Sequence, residues 1–301
     1  MSSTMSSLMS SPAALIVLIA TVVNILACLW LIWWTAKPRA PVEAETTGHE
    51  WDGIREYNNP MPRWWLGLFI ITIIFGFIYL ALYPGLGNFA GTLAWTSEGE
   101  LAREQARTQA AFEERYGATA KLDVVAVAKN PEAMAAAKNL FANNCATCHG
   151  ADARGTRGFP NLTDNDWVWG GNPETIYETI ANGRKGLMPG WAVILGRQGA
   201  EEVSAYVLSL SGRKVPADWI EPGKQRFATI CVACHGAEAT GNQALGAPNL
   251  TDKTWVYGSS MDTIRDIVTN GQNNEMPAHL PLLGETKVKL LAGYVYGLSH
   301  P

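Results

Sequence analysis

The stretch CATCHG at residues 145–150 returns as CVACHG at 231–236. Each copy holds two thiols with two residues between them and a histidine directly after the second. That spacing brings both sulfurs within reach of the two vinyl groups of one porphyrin and sets the imidazole under its iron. Cys145, Cys148 and His149, and again Cys231, Cys234 and His235, therefore read as attachment sites for two covalently bound haem c groups. Rival chemistries fit less well. A structural zinc site closes with four ligands, whereas each copy offers two Cys and one His and no fourth Cys or His common to both. A redox dithiol of the thioredoxin kind calls for a parallel sheet, for which the sequence has no strand pattern. A disulfide suits an oxidising compartment but leaves the histidine without a task.

The iron of such a group has a sixth position to fill. Met188 lies 39 residues after His149, and Met276 lies 41 after His235. Each is followed by proline, which stiffens its loop and removes a donor. A thioether is a soft, weak ligand, and His/Met ligation raises the reduction potential. Met188 is expected to complete the iron held by His149, and Met276 the iron held by His235. His279, three residues beyond Met276, is the competitor at the second site. His300 reads as a solvent-facing tail residue. Irons closed on both sides exchange electrons and bind no substrate, so no catalytic centre is expected in this chain.

The elements that position these residues also come twice. KNLFANNCATCHG (138–150) matches KQRFATICVACHG (224–236) at an offset of 86. After an insertion of two residues, GFPNLTDNDWVWG (158–170) matches GAPNLTDKTWVYG (246–258) at an offset of 88. NGRKGLMPG (182–190) then matches NGQNNEMPA (270–278), and AYVLSLS (205–211) matches GYVYGLS (293–299). One small unit is therefore expected twice, over 130–212 and 213–301. Pro131 is expected to open the first attachment helix, which runs to about Asn144. Before it, a linker over 85–129 contains SEGELAREQARTQAAFEERY (97–116), a solvated helix opened by Ser97 and Glu100 in a capping-box arrangement.

Each unit resembles a class I cytochrome c domain: a helix ending in CxxCH, a proline-containing loop, a methionine loop and a closing helix. The resemblance implies that Phe141 packs on Tyr206 and Phe227 on Tyr294. It also implies that the carbonyls of Pro160 and Pro248 accept the proximal imidazole N–H, which fixes the tautomer. Asn161, Trp167, Asn249 and Trp255 stand where haem propionates would be, and plain packing accounts for them equally well.

Upstream, Ala13 to Trp34 is a run of 22 residues without a charge, and Trp64 to Tyr83 is another of 20. At about 1.5 Å per residue each spans the roughly 30 Å hydrocarbon core of a bilayer. The first has no basic residue ahead of it and is too long for a signal-peptide core, so it is expected to stay. Lys37, Arg39, Arg55 and Arg63 all fall between the two runs, which places that connector in the cytoplasm and both termini in the periplasm. The expected order is a first transmembrane helix (1–35), a cytoplasmic connector (36–63), a second transmembrane helix (64–84), the periplasmic linker and the two haem units. Asn24 and Cys28, four apart in the first span, read as a helix-packing face.

The stretch HEWDGIREYNNPMPRWW (49–65), the second span and YPGLGNFAGTLAWTS (83–97) resemble the dihaem subunit of the cbb3-type cytochrome c oxidases. With the haem units, the resemblance covers roughly residues 49–301. The extra span at 13–34 departs from the single span usual in that family. The fold class is thus mainly α, with two N-terminal transmembrane helices and two tandem class I cytochrome c domains. The resemblance implies an inner-membrane subunit of a proton-pumping oxidase. It would take electrons from a cytochrome c donor and pass them through a monohaem c subunit to a catalytic haem–copper subunit. A freestanding dihaem shuttle, or the cytochrome subunit of a periplasmic dehydrogenase, is the alternative; a dihaem peroxidase would need an open iron. A net charge of −4 and the lack of a basic stripe exclude a nucleic-acid partner. From Pro84 onward, 22 acidic and 19 basic residues are too balanced to argue charge steering of a donor.

Overall fold

A computed structural model of the chain describes residues 11–36, 46–57 and 62–300. It divides into two compact units, Met1–Thr108 and Gln109–Pro301. Lys37 and Arg39, part of the NNP stretch of the 49–65 signature (58–61) and the first ten residues lie outside the described residues.

In the first unit the two uncharged runs are helices, α1 (Pro12–Thr35) and α2 (Arg63–Leu82). Both are long and apolar enough to cross a membrane. Ser11 caps α1, its hydroxyl accepting from the Ala14 N–H at 3.2 Å. Large apolar side chains such as Val23, Leu26, Phe75 and Ile78 point outward, as a lipid-facing helix requires. Between the helices is a hairpin of β1 (Thr46–Trp51) and β2 (Ile54–Tyr57). Asp52 and Gly53 turn it with positive φ at both residues, the primed geometry that matches strand twist.

Helix α3 (Ser97–Ala120) starts one residue earlier in its capping scheme than the sequence suggested. The cap is Thr96, whose hydroxyl accepts from the Gly99 N–H at 2.9 Å, so Ser97 and Glu100 do not form the expected box. In the second unit follow α4 (Val124–Ala128), α5 (Pro131–Asn144) and α6 (Ala146–His149). Pro131 sits in the first turn of α5 behind an Asn130 cap, where its missing N–H costs nothing. Next are α7 (Pro173–Asn182), β3 (Arg184–Met188) and α8 (Ala192–Leu210). The second repeat supplies α9 (Ala217–Ile230), α10 (Val232–His235), α11 (Met261–Asn270) and β4 (Gln272–Met276). It closes with α12 (Leu280–Leu283) and α13 (Glu285–Ser299).

The repeats do not fold back on themselves. The closing helix of the first, α8, packs on α9 and α11 of the second, while α13 of the second packs on α5 and α7 of the first. One core gathers Phe141, Ile176 and Ile180 with Val288, Leu291 and Val295; the other gathers Val203, Val207 and Leu208 with Phe227, Ile264 and Val268. The expected aromatic pairs are therefore exchanged. Phe141 meets Tyr294 at 5.4 Å between ring centroids, and Phe227 meets Tyr206 at 5.3 Å. A further cluster of Val127, Ala133, Ala137 and Leu290, with Phe112 and Tyr116 against it, secures α3 and α4 to the first module.

The crossing point is a two-stranded antiparallel sheet in which Arg184 pairs with Met276 and Met188 with Gln272. Lys185 and Glu275 face each other across it at 3.1 Å. Gly183 and Gly271, each just before a strand, have φ of 72° and 80°. A Cβ at Gly183 would collide with the Met276 carbonyl, and one at Gly271 with the Met188 carbonyl. Glycine serves both needs, since it alone adopts positive φ without strain and lets another backbone approach this closely.

Candidate functional site

Each CxxCH stretch occupies one helical turn hung from the end of an attachment helix. In the first, the N–H of Cys145 reaches the Phe141 carbonyl at 2.8 Å and that of His149 reaches Cys145 at 3.0 Å. The second repeats this with Cys231 to Phe227 at 2.9 Å and His235 to Cys231 at 3.0 Å. All four cysteines are free thiols. Burial, with the Cys148 sulfur nearby, pushes the Cys145 thiol up to about 11; Cys231 is likewise pushed up to about 11 by burial and Cys234.

The loop after each histidine doubles back, with the Gly155 N–H on the His149 carbonyl at 2.7 Å and Gly241 on His235 at 2.9 Å. It brings the Pro160 carbonyl to 3.0 Å from His149 Nδ1 and the Pro248 carbonyl to 3.1 Å from His235 Nδ1. A carbonyl can only accept, so Nδ1 carries the proton and Nε2 keeps its lone pair for a metal. Burial holds both imidazoles below their ordinary pKa, opposed by the proline hydrogen bond; His279 adds to the lowering at His149. Each ring is therefore buried and oriented, with Nε2 available to a metal.

The methionines lie in the opposite repeats' pockets from those expected. Met276 packs in the cluster that holds Phe141, Cys145 and Ala146, and Met188 packs in the one that holds Phe227, Cys231 and Val232. The expected grouping of His149 with Met188 and His235 with Met276 is overturned. The physical reason is the antiparallel β3–β4 pairing, which carries each methionine across to the other repeat. Backbone contacts fix the exchange on both sides: the Trp191 N–H donates to the Val268 carbonyl at 3.0 Å, and the His279 N–H to the Ile180 carbonyl at 3.0 Å. His279 thus stands by the first attachment site, not the second.

A haem fits the residues that line these sites. The Nε1 atoms of Trp167 and Trp255 are buried with no hydrogen-bond partner among the described residues, as is Nδ1 of His279. A buried N–H left unpaired is costly, so two donors at equivalent repeat positions point to an acceptor supplied by a bound group. Asn161 and Asn249 are instead occupied locally, their side chains accepting from the N–H and hydroxyl of Thr163 and Thr251. His300 is exposed and stacks on Tyr296. In α1, the Cys28 thiol faces the Asn24 side-chain oxygen at 3.8 Å.

Comparison with known proteins decides the family. The model of cbb3-type cytochrome c oxidase subunit III matches residues 132–207 and 219–295, and that of the N-terminal domain of cbb3 cytochrome oxidase FixP matches 43–90. The chain belongs to the cbb3-type cytochrome c oxidase subunit III family. It is 46% identical over 298 residues to the cbb3-type oxidase subunit CcoP of Rubrivivax gelatinosus, covering 98% of each chain. It is 41% identical over 272 residues to the FixP subunit of Sinorhizobium medicae, covering 85% of this chain and 94% of that one. A CcoP subunit from Azospirillum brasilense is 38% identical over 280 residues, 85% and 95% of the two chains. The Rubrivivax match runs nearly end to end. Cytochrome c domains imply haem c as the cofactor and electron transfer as the role, and the membrane helices suit an inner-membrane subunit.

Sequence reasoning missed the strands β3 and β4. Their signal was faint: NGRKGLMPG and NGQNNEMPA share an Asn-Gly at the helix end but no apolar alternation. It also passed over the β1–β2 hairpin, although Asp52-Gly53 is a strong short-range turn signal.

Proposed function

We propose that this chain is the dihaem electron-transfer subunit of a cbb3-type haem–copper oxidase. The first haem c would be held by Cys145 and Cys148, with His149 and Met276 as the residues that would ligate its iron. The second would be held by Cys231 and Cys234, with His235 and Met188. When bound, each haem supplies a one-electron iron couple. The chain's own residues do the rest. The proline carbonyls keep each histidine in the ligating tautomer, and the thioethers keep the groups in place. The methionines would ligate the irons and leave no site for substrate, and the Trp167 and Trp255 N–H groups would hold the haem carboxylates.

The observation that carries the reading is the duplicated CxxCH turn whose histidine gives its Nδ1 proton to a proline carbonyl. Electrons from a soluble or membrane-bound cytochrome c would cross the two haems to a monohaem c subunit and reach the catalytic subunit, where oxygen is reduced. Arg55 and Arg63, with Lys37 and Arg39 of the sequence, support a cytoplasmic connector and periplasmic haem modules. The chain contributes no catalytic centre to the complex.

The test is affinity purification from a mild detergent through a C-terminal tag. Haem b, copper and cytochrome c-driven oxygen uptake are expected with the chain, at two haem c per chain. Recovery of haem c alone, without oxygen uptake, would leave only a membrane-tethered electron carrier.

A further inference from the structure

The helix pairing α8–α9 and α5–α13 has to be chosen over the pairing within each repeat, α5–α8 and α9–α13. Both use the same aromatic pattern, because Phe141 and Phe227 are repeat equivalents and so are Tyr206 and Tyr294. Aromatic packing alone cannot distinguish them. One pair of positions beside the aromatics does. On α8, four residues before Tyr206, stands Glu202; its repeat equivalent on α13 is Leu290. On α9, directly before Phe227, stands Arg226; its equivalent on α5 is Leu140.

Glu202 is buried, its side chain 5% exposed, and its Oε2 lies 2.6 Å from Nε of Arg226. Its other oxygen accepts from Gln198 Nε2 at 2.9 Å. Leu290 is fully buried, and Leu140 packs against the core of the first module. The second module is thus ionic at these positions and the first apolar at both, Leu290 packing with Val127, Ala133 and Ala137 and Leu140 against the Phe141 cluster. Pairing within the repeats would set Glu202 against Leu140 and Leu290 against Arg226. That buries a carboxylate without its cation, which is strongly destabilising, whereas the pair itself, with Arg226 half-exposed, adds little net stability.

We propose that the Glu202–Arg226 ion pair is the device that selects the crossed arrangement, and so decides which methionine reaches which haem. The second half of that statement rests on the ligand sets proposed above; the helix selection does not. The pair works by penalising the alternative, the way a single polar position fixes register in a coiled coil.

The test moves the charge. E202L/L290E puts the acid on α13 and leaves the base on α9, so pairing within each repeat becomes the matched one. Adding L140R/R226L moves the base to α5 and makes the crossed pairing matched again. Spin labels on Asn139 of α5 with Glu285 of α13, or with Arg197 of α8, read the choice, with both haems reduced to their diamagnetic state. Asn139, Glu285 and Arg197 are exposed, and the last two are repeat equivalents. The native chain should give the short distance at 139/285. It should pass to 139/197 in E202L/L290E and return in the fourfold variant. If E202L/L290E does not fold, the neutral variant E202L/R226L, apolar in both modules, should show both distances in one sample. A short distance confined to 139/285 in E202L/L290E, or in the neutral variant, would overturn the proposal. Crossed labels together with Met188 on the first haem would instead break the ligand sets and leave the selection standing.

Discussion

The ring of Phe141 packs against the ring of Tyr294 from the other repeat, 5.4 Å between centroids. With its counterpart Phe227–Tyr206 it makes the two cytochrome repeats one interlocked body rather than two beads on a string. Neither haem module is complete until the chain has been made to its last helix. Both proposed ligand sets draw one residue from each repeat, so the two irons share a single folded framework.

The ligand exchange can be read directly. In a chain with Cys231 and Cys234 replaced by alanine, only the first haem is attached. There Met276→Ala should abolish the near-infrared band of methionine-ligated ferric haem and make the iron high-spin on reduction, while Met188→Ala leaves it intact. The reciprocal holds when Cys145 and Cys148 are replaced. Loss of the band with Met188→Ala in the first chain would restore pairing within the repeat.

The aromatic pairs give a second, haem-independent measure. Phe141→Ala and Phe227→Ala should each cost about 3–5 kcal/mol in chemical denaturation, as large core truncations do. A double-mutant cycle of Phe141 with Tyr294 should show coupling of about 0.5–1.5 kcal/mol, and one of Phe141 with Tyr206 close to none. The opposite ranking would contradict the crossed core.

Much of this was legible before any coordinates. The CxxCH turns, the two apolar helices and the start of α5 at Pro131 follow from local rules of ligand chemistry, span length and helix capping, and the proline carbonyls behind each histidine from the resemblance to class I cytochrome c. What was not legible is which copy of a repeated element meets which. Phe141, Phe227, Tyr206 and Tyr294 look alike in pairs, so pattern alone is degenerate. The residues that break the tie, Glu202 against Leu290 and Arg226 against Leu140, carry meaning only once their neighbours across the helix interface are known. The Thr96 cap was missed for a smaller reason, since Thr96 and Ser97 are both good caps and only the backbone path separates them.

The strand glycines connect the fold to the metal. Gly183→Ala should strain its own backbone by about 1–2 kcal/mol, because φ there is in the left-handed region. It should also push on the Met276 carbonyl, and thereby weaken ligation at the first haem through a methionine that belongs to the second repeat. Gly271→Ala should do the same to Met188 and the second haem. Resonance Raman or the near-infrared band of each single-haem chain reads this. An effect of Gly183→Ala confined to the second haem would be incompatible with the β3–β4 register.

The indole donors make the last prediction. Trp167→Phe and Trp255→Phe remove the buried N–H, which has no hydrogen-bond partner among the described residues, together with part of the ring that packs on the core. If those N–H groups stabilise haem carboxylates, removing one leaves more uncompensated negative charge near its iron. The ferric state is then favoured, and the reduction potential of one haem should fall while the other stays in place. The smaller ring also loses packing against the core, so some loss of stability in the haem-free chain is expected in either case and the potential is the deciding readout. Spectroelectrochemistry on the purified chain resolves the two couples. Unchanged potentials in both variants would reduce the tryptophans to packing residues.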